Sequence, residues 1–262
     1  MPPPTLDEEM RAVLTGEHPY LHRVRGRMKH LSSSPRCKLC AAPFGGAGGA
    51  VLKHFGYARF AGNPALCEKC IKQFRQGGIA GTEIPVTLLF ADIRGSTGIG
   101  ERMRPADFRA YLDRFYRIAS DSILRHDGLV DKFVGDEVIG LFFGGVSGPQ
   151  HQAAAINAAI DLLERVGRAD ATPMGPIPVG VGVHTGEAYV GGTGPEGAVD
   201  DFTALGDVVN TTARLAAAAA AGELILSADA SEAAARDPNG AERRTLDIRG
   251  RQESIDVVAI RP

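Results

Sequence analysis

Asp92 and Asp136 are the residues of this chain whose types and settings best suit chemistry. The first lies in Phe90-Ala91-Asp92-Ile93-Arg94-Gly95-Ser96-Thr97, the second in Asp131-Lys132-Phe133-Val134-Gly135-Asp136-Glu137. Each is an acid delivered at the end of an apolar run. Two such carboxylates, joined by phosphate oxygens, make the hard oxygen donor set that magnesium prefers to an all-protein cage. Backbone amides at Gly95, Ser96 and Thr97, opening a helix, would face the same anion. Taken singly, each acid has a plainer reading, Asp92 as a helix N-cap and Asp136 as a solvated turn residue. The pair favours a metal site that works on phosphate.

The elements that must position the pair can be read from pattern. Val86 and Leu88-Leu89-Phe90, after Pro85, form a short apolar strand, and Gly95-Ser96-Thr97 supplies helix-start chemistry behind it. Residues 129–143 spell a hairpin whose turn is Gly135-Asp136. Glycine at the first turn position suits type II′ and puts Asp136 at the tip. Apolar positions at Phe108, Leu112, Phe115, Ala119 and Leu124 predict a helix over 105–126, and an alanine-rich helix follows over 150–167. Further strands are expected at 177–184, 187–191, 199–204, 223–226, 243–248 and 254–260. Strands interleaved with helices in this way give an α+β layer fold.

A second cluster runs from Asp201 to Leu215. Asp207 is expected to cap a helix through the alanines to Gly222, a structural role. Asn210 and Arg214, four apart, share one face of that helix. An arginine there suits a phosphate and an asparagine can orient a sugar hydroxyl. Lysine usage singles out Lys132: the chain has 6 Lys against 23 Arg, and Lys132 is the only lysine after Lys72. A lone lysine in a half-buried strand points to a need for a compact charge, the plain alternative being a snorkelling strand lysine.

Together these residues resemble the class III nucleotide cyclases, which convert a nucleoside triphosphate to a 3′,5′-cyclic monophosphate and pyrophosphate. The resemblance covers roughly residues 85–262. It implies a ferredoxin-like βαββαβ catalytic core. It also implies that Asp92 and Asp136, with the carbonyl of Ile93, hold two Mg²⁺ or Mn²⁺ ions, and that Lys132 and Thr203 read the adenine of ATP. Threonine at that place is similar to one bacterial subgroup of adenylate cyclases. Asn210 and Arg214 match the pair that positions the ribose and stabilises the transition state. Sites of this family form across a head-to-tail dimer, so the resemblance implies a homodimer with two equivalent shared sites.

There are departures. Glu187 stands where some members carry an arginine after His-Thr-Gly. Arg249 and Arg251 resemble the family's late basic phosphate contact, with no choice between them. His184 reads as a packed strand histidine.

The first part of the chain has a different character. Cys37-Lys-Leu-Cys40 and Cys67-Glu-Lys-Cys70 hold all four cysteines. Two C-x-x-C pairs at this separation predict one tetrahedral thiolate site, most simply structural zinc, with mononuclear iron or an iron–sulfur cluster as alternatives and two disulfides as the plain reading. The acidic start, Thr5-Leu6-Asp7-Glu8-Glu9, has no apolar core of a secretory signal, and no long apolar span follows, so a cytoplasmic protein with reduced thiols is expected. Residues 1–84 carry 12 Lys+Arg against 6 Asp+Glu, and residues 85–262 carry 17 against 25. Attraction between oppositely charged parts explains the basic half without nucleic acid or a membrane. The expected plan is a helical segment at 1–34, broken near Gly16 and Pro19, a four-cysteine module at 35–76, a linker at 77–84 and the catalytic domain at 85–262.

Adenylate cyclase leads this reading. A guanylate cyclase or a diguanylate cyclase is the enzymatic alternative, the latter because Val-Gly-Asp-Glu-Val resembles that family's Gly-Gly-Asp-Glu-Phe turn, although Thr203, Asn210 and Arg214 have no place there. A zinc-dependent nucleic-acid-binding regulator is the non-enzymatic alternative, and it lacks an interleaved aromatic surface.

Overall fold

The computed structural model describes residues 5–31, 33–61, 63–76, 81–168, 175–193, 201–234, 241–247 and 254–262. Arg249, Arg251 and linker residues 77–80 lie outside these. In chain order the elements are α1 (Leu6–Thr15), α2 (Pro19–Lys29), α3 (Gly46–Leu52), α4 (Glu68–Gln76), β1 (Gly81–Ile93), α5 (Ser96–Glu101), α6 (Pro105–Arg125), β2 (Leu129–Val134), β3 (Glu137–Phe143), α7 (Gly144–Ser147), α8 (His151–Val166), β4 (Val179–Thr193), β5 (Asp201–Leu205), α9 (Asp207–Ala218), β6 (Leu224–Ser227), α10 (Ala228–Ala233), β7 (Glu242–Leu246) and β8 (Ile255–Ile260).

The segment β1–α6–β2–β3–α8–β4 is the expected βαββαβ core. Its strands lie in the order β2-β3-β1-β4, and the sheet continues through β6, β8 and β7, with β5 paired to β4. β4 and β6 are parallel, while β6–β8 and β7–β8 are antiparallel. Contacts divide the chain into two compact units. One comprises Met1–Pro85, Phe143–Pro149 and Glu187–Leu205, and the other comprises Val86–Phe142, Gln150–Gly186 and Gly206–Pro262.

In the second unit, α6 and α8 bury their apolar faces over the sheet. Tyr111, Phe115, Ile118 and Ala119 on α6 recur at helical spacing, as do Ala155, Ile156, Ala159, Leu162 and Leu163 on α8. They pack with Leu89, Ala91, Ile93, Val181 and Val183. α9 covers another part of the sheet, where Leu215 and Ala219 meet Ile225, Val257 and Ala259. Gly182 lets α9 approach this closely: a Cβ there would run into the Ala216 amide and lie 2.8 Å from the Thr212 carbonyl oxygen. Covered on both faces, β3, β6 and the second half of β1 are near-continuous apolar runs.

The first unit holds the α1–α2 pair. α1 starts at a capping box between Thr5 and Glu8 and ends at Gly16 in the left-handed region, with φ of 85°. Pro19 is in the first turn of α2. The break expected near Gly16 and Pro19 is therefore a change of helix.

Several boundaries differ from expectation. β1 begins at Gly81, taking in residues 81–84 of the expected linker, because Thr82, Ile84 and Val86 are buried while Glu83 and Pro85 face outward, the alternation of a strand. The two strands expected at 177–184 and 187–191 are one, β4. The Thr185 hydroxyl donates to the Val86 carbonyl at 3.2 Å and accepts from Thr87 at 3.1 Å, which holds the His-Thr-Gly segment extended. α9 starts after Gly206, so Asp207 is its first helical residue and not its N-cap. That helix stops at Ala218, before Gly222, whose positive φ of 76° begins the turn into β6. The short helices α7 and α10 carry no strong sequence period and were not expected.

Candidate active site

β1 ends at the β2–β3 turn. The Ile93 amide donates to the Asp136 carbonyl at 3.3 Å, which brings the two aspartates of the sequence reading together. Gly135, at φ of 62°, gives the turn the conformation expected for its first position. The turn is held from the side by Tyr116, whose hydroxyl donates to the Gly135 carbonyl while its ring stacks on Phe133, 4.7 Å between centroids.

The electrostatics of the pair are those of a cation site. Partial burial, followed by the facing Asp136, raises the Asp92 carboxyl to about 6. Glu137, the next residue along, is raised to about 7, first by burial and then by the charges of Asp92 and Asp136. Two raised acids beside Asp136, all three offering carboxylate oxygens where β1 meets the hairpin turn, fit a hard divalent ion. Two residues here escaped the sequence reading. Glu137 gave no signal beyond its place at the start of an apolar strand. Arg94 donates to the Asp92 carboxylate and, at 3.1 Å, to the Ala217 carbonyl at the end of α9. Its amide also donates to the Pro178 carbonyl at 2.6 Å. An arginine beside a turn is too common for its spelling to reveal such a bridge.

Lys132 sits at a bulge. Val130 pairs with Gly140 and Lys132 with Ile139, so Asp131 is the extra residue and its carboxylate is nearly buried. Bulges re-aim side chains, and this one leaves Lys132 partly accessible, with Nζ 3.9 Å from the Asp131 carboxylate. On α9, Asn210 is exposed and Arg214 half-buried, one turn apart on one face. Gly95, Ser96 and Thr97 begin α5, a helix of only six residues entered through Gly95 at φ of 70°. Thr203 is buried on β5, opposite Gly191 of β4. His184 is a packed histidine, as expected, with Nδ1 2.8 Å from the Ser227 hydroxyl. Glu187 is exposed.

Cys37, Cys40, Cys67 and Cys70 also converge. All four are buried, none is in a disulfide, and their sulfurs lie within 4.8 Å of one another. Among the described residues, no helix is long and apolar enough to cross a membrane.

An adenylate cyclase of Anabaena cylindrica is 32% identical over 133 residues, covering 50% of this chain and 26% of that protein. Adenylate cyclase 1 of Rhizobium meliloti is 31% identical over 154 residues, covering 57% and 23%. The chain thus spans about a quarter of the length of these relatives. Among solved structures, the guanylyl cyclase Cya2 matches with a TM-score of 0.63 at 27% identity, covering 69% of this chain and 93% of that one. The adenylyl cyclase CyaB from P. aeruginosa matches with a TM-score of 0.60 at 24% identity, covering 69% and 95%, a likeness of fold. The model of the adenylate and guanylate cyclase catalytic domain family matches residues 80–259. Because that match takes in well over half of the sequence and every strand of the sheet described above, the chain belongs to the adenylate and guanylate cyclase catalytic domain family.

Proposed function

We propose that this chain converts ATP to 3′,5′-cyclic AMP and pyrophosphate at sites shared between two copies. The observation that carries the reading is the convergence of Asp92 and Asp136 where β1 meets the hairpin turn. Bound at Asp92, Asp136 and the Ile93 carbonyl, two Mg²⁺ or Mn²⁺ ions would neutralise the triphosphate and acidify the ribose 3′-hydroxyl. The 3′-oxygen attacks the α-phosphorus, the bond from that phosphorus to the bridging oxygen breaks, and pyrophosphate leaves with the electron pair. The hydroxyl proton passes to solvent, since no side chain is assigned as a base.

Arg214 meets the charge that develops at the α-phosphate and Asn210 holds the ribose, so positioning and electrostatics supply most of the rate. Backbone amides at Gly95 to Thr97 and an arginine, Arg249 or Arg251, complete the phosphate contacts. Lys132 donates to a ring nitrogen of adenine and Thr203 accepts from its exocyclic amine. One subunit gives Asp92 and Asp136, and its partner gives Lys132, Thr203, Asn210 and Arg214.

Guanylate cyclisation is the second reading, favoured by the likeness to the guanylyl cyclase Cya2. Product analysis separates them. Purified protein is incubated with ATP or GTP and either metal, and the nucleotide formed is identified. Cyclic AMP from wild type and none from Asp136→Ala supports the proposal. Cyclic GMP as the sole product refutes the base assignment, and turnover by Asp136→Ala refutes the metal assignment.

A further inference from the structure

The four cysteines lie outside the segment matched to the cyclase family. The first pair sits in a tight turn. Arg36 and Pro43 bridge its ends, the Cys37 amide donates to the Ala42 carbonyl at 2.8 Å, and Ala41 takes a positive φ of 61°. The second pair brackets the start of α4, so Cys70 is in the first turn, where the helix dipole favours a negative sulfur. The two pairs meet with Cys37 Sγ 3.9 Å from Cys70 Sγ and Cys40 Sγ 3.7 Å from Cys67 Sγ. A tetrahedron of sulfurs at a Zn–S distance of about 2.3 Å has an edge of about 3.8 Å. These two separations match that edge without any movement.

The amide of Cys67 donates to Cys37 Sγ at 3.4 Å, the outer bond that steadies a metal-bound thiolate. Sulfurs grouped this closely around one point suit a single ion. A cluster of several metal atoms needs its ligands spread over more than one centre, which removes the iron–sulfur alternative. Between single ions, soft thiolates and the Irving–Williams order place zinc above ferrous iron.

Arg25 extends the site. From α2, its Nε donates to the Leu39 carbonyl at 2.6 Å and its Nη2 to the Lys38 carbonyl at 3.0 Å, both inside the first C-x-x-C turn. The same Nη2 donates to the carbonyl of Gly145, just after β3. The residues Gly144 and Gly145 form a seat for the end of α1. A Cβ at Gly145 would lie 2.6 Å from the Leu14 carbonyl oxygen and 2.7 Å from that of Val13, and one at Gly144 would strike the Thr15 carbonyl. A guanidinium placed on carbonyls of the metal turn therefore also reaches the stretch that leaves β3. A cavity of about 230 Å³, bordered by Met10, Leu21, Cys40 and Cys70, lies beside two of the four cysteines.

We propose that Cys37, Cys40, Cys67 and Cys70 hold one zinc ion in a closed tetrahedral shell, and that Arg25 ties this centre to Gly144-Gly145, so that loss of the ion loosens the end of β3. Four protein thiolates leave no open position, so the ion is structural and takes no part in nucleotide chemistry. This proposal does not depend on the cyclase reading, and its readouts are not activity.

The test uses the full chain, purified without oxygen. Elemental analysis is expected to give one zinc per chain. Exchange with cobalt(II) is expected to give the intense visible bands of a tetrahedral tetrathiolate. Hydrogen exchange in the peptide covering Gly144 to Gly148, whose last amide donates to the Gly144 carbonyl, should quicken at least about tenfold when zinc is removed. Arg25→Met should keep its zinc yet show the same quickening, which separates coupling from a general loss of fold. Stoichiometric iron, native disulfides, or a cobalt spectrum without tetrahedral bands overturns the metal site. Unchanged exchange at Gly144 to Gly148 in both zinc-free wild type and Arg25→Met overturns the coupling.

Discussion

Replacing Asp92 by asparagine should stabilise the metal-free protein at neutral pH while abolishing catalysis. The Asp92 carboxyl is raised from the ordinary aspartate range to about 6 because burial, and then Asp136, disfavour its charge more than Arg94 favours it. Below about pH 4 it is protonated whether the chain is folded or not, and it costs nothing. Between about pH 4 and pH 6 the unfolded chain gives up this proton freely while the folded protein holds it, so stability falls across that window and levels off above it. A displacement of this size is worth at most about 3 kcal/mol. The side chain is 28% exposed, and solvent screening lowers the figure to about 1–2 kcal/mol. Glu137, raised to about 7, extends the decline toward neutrality. Asp92→Asn should therefore melt about 2–6 °C higher than wild type near pH 7.5 in chelator and equal to it near pH 3.5. Manganese should stabilise wild type increasingly from about pH 5 to pH 7.5, as protons cease to compete for the carboxylates, and should leave the variant unmoved. Thermal unfolding across that pH series measures both effects. An Asp92→Asn variant less stable than wild type at neutral pH, or a manganese effect that ignores pH, would refute the argument.

Lys132→Glu should lower kcat/KM for ATP at least about a hundredfold, because a site built on base hydrogen bonds is left with an unpaired polar group, and pairing it with Thr203→Cys should admit GTP. Steady-state rates with both nucleotides measure this, and unchanged ATP preference in the double variant counts against the base-reading role. Asp92→Ala and Arg214→Ala should each be inactive alone yet regain activity on mixing, one intact site forming per heterodimer. A mixture shown by mass spectrometry to contain heterodimers but still inactive contradicts the shared site. Glu223 is buried, accepts from the Ala220 amide at 2.9 Å, and pairs with Arg244 at 3.1 Å and Arg261 at 3.5 Å. Glu223→Gln should cost about 1–3 kcal/mol in denaturant unfolding, and a loss below measurement shows that the hydrated arginines need no partner.

What was legible in the sequence is what short-range chemistry decides. The interleaving of strands with helices follows from apolar periods, the βαββαβ order from the resemblance to the cyclases, and the turn at Gly135 from one glycine that must take positive φ. The meeting of Asp92 with Asp136 could be inferred because each ends a strand at a turn. The cysteine pairs were legible because two thiolates on one turn have little other use. The illegible part depends on partners far apart in the chain. Thr185 looks like a turn residue until Val86 and Thr87 are seen to hold it in a strand. Asp207 has the spelling of an N-cap, but Gly206 already occupies the position before the helix. Arg94 and Arg25 illustrate the same limit at the two candidate sites. Each sits in an unremarkable local sequence, and each gains its role from carbonyls supplied by distant residues, Ala217 for the first and Gly145 for the second. A guanidinium has five donors in a fixed fork, so it can serve several such acceptors at once. In a chain with 23 Arg against 6 Lys, the type alone cannot mark which ones bridge. The lone late lysine at 132 is informative for the opposite reason: where arginine is the rule, a point charge on a flexible stem is the departure that chemistry has to explain.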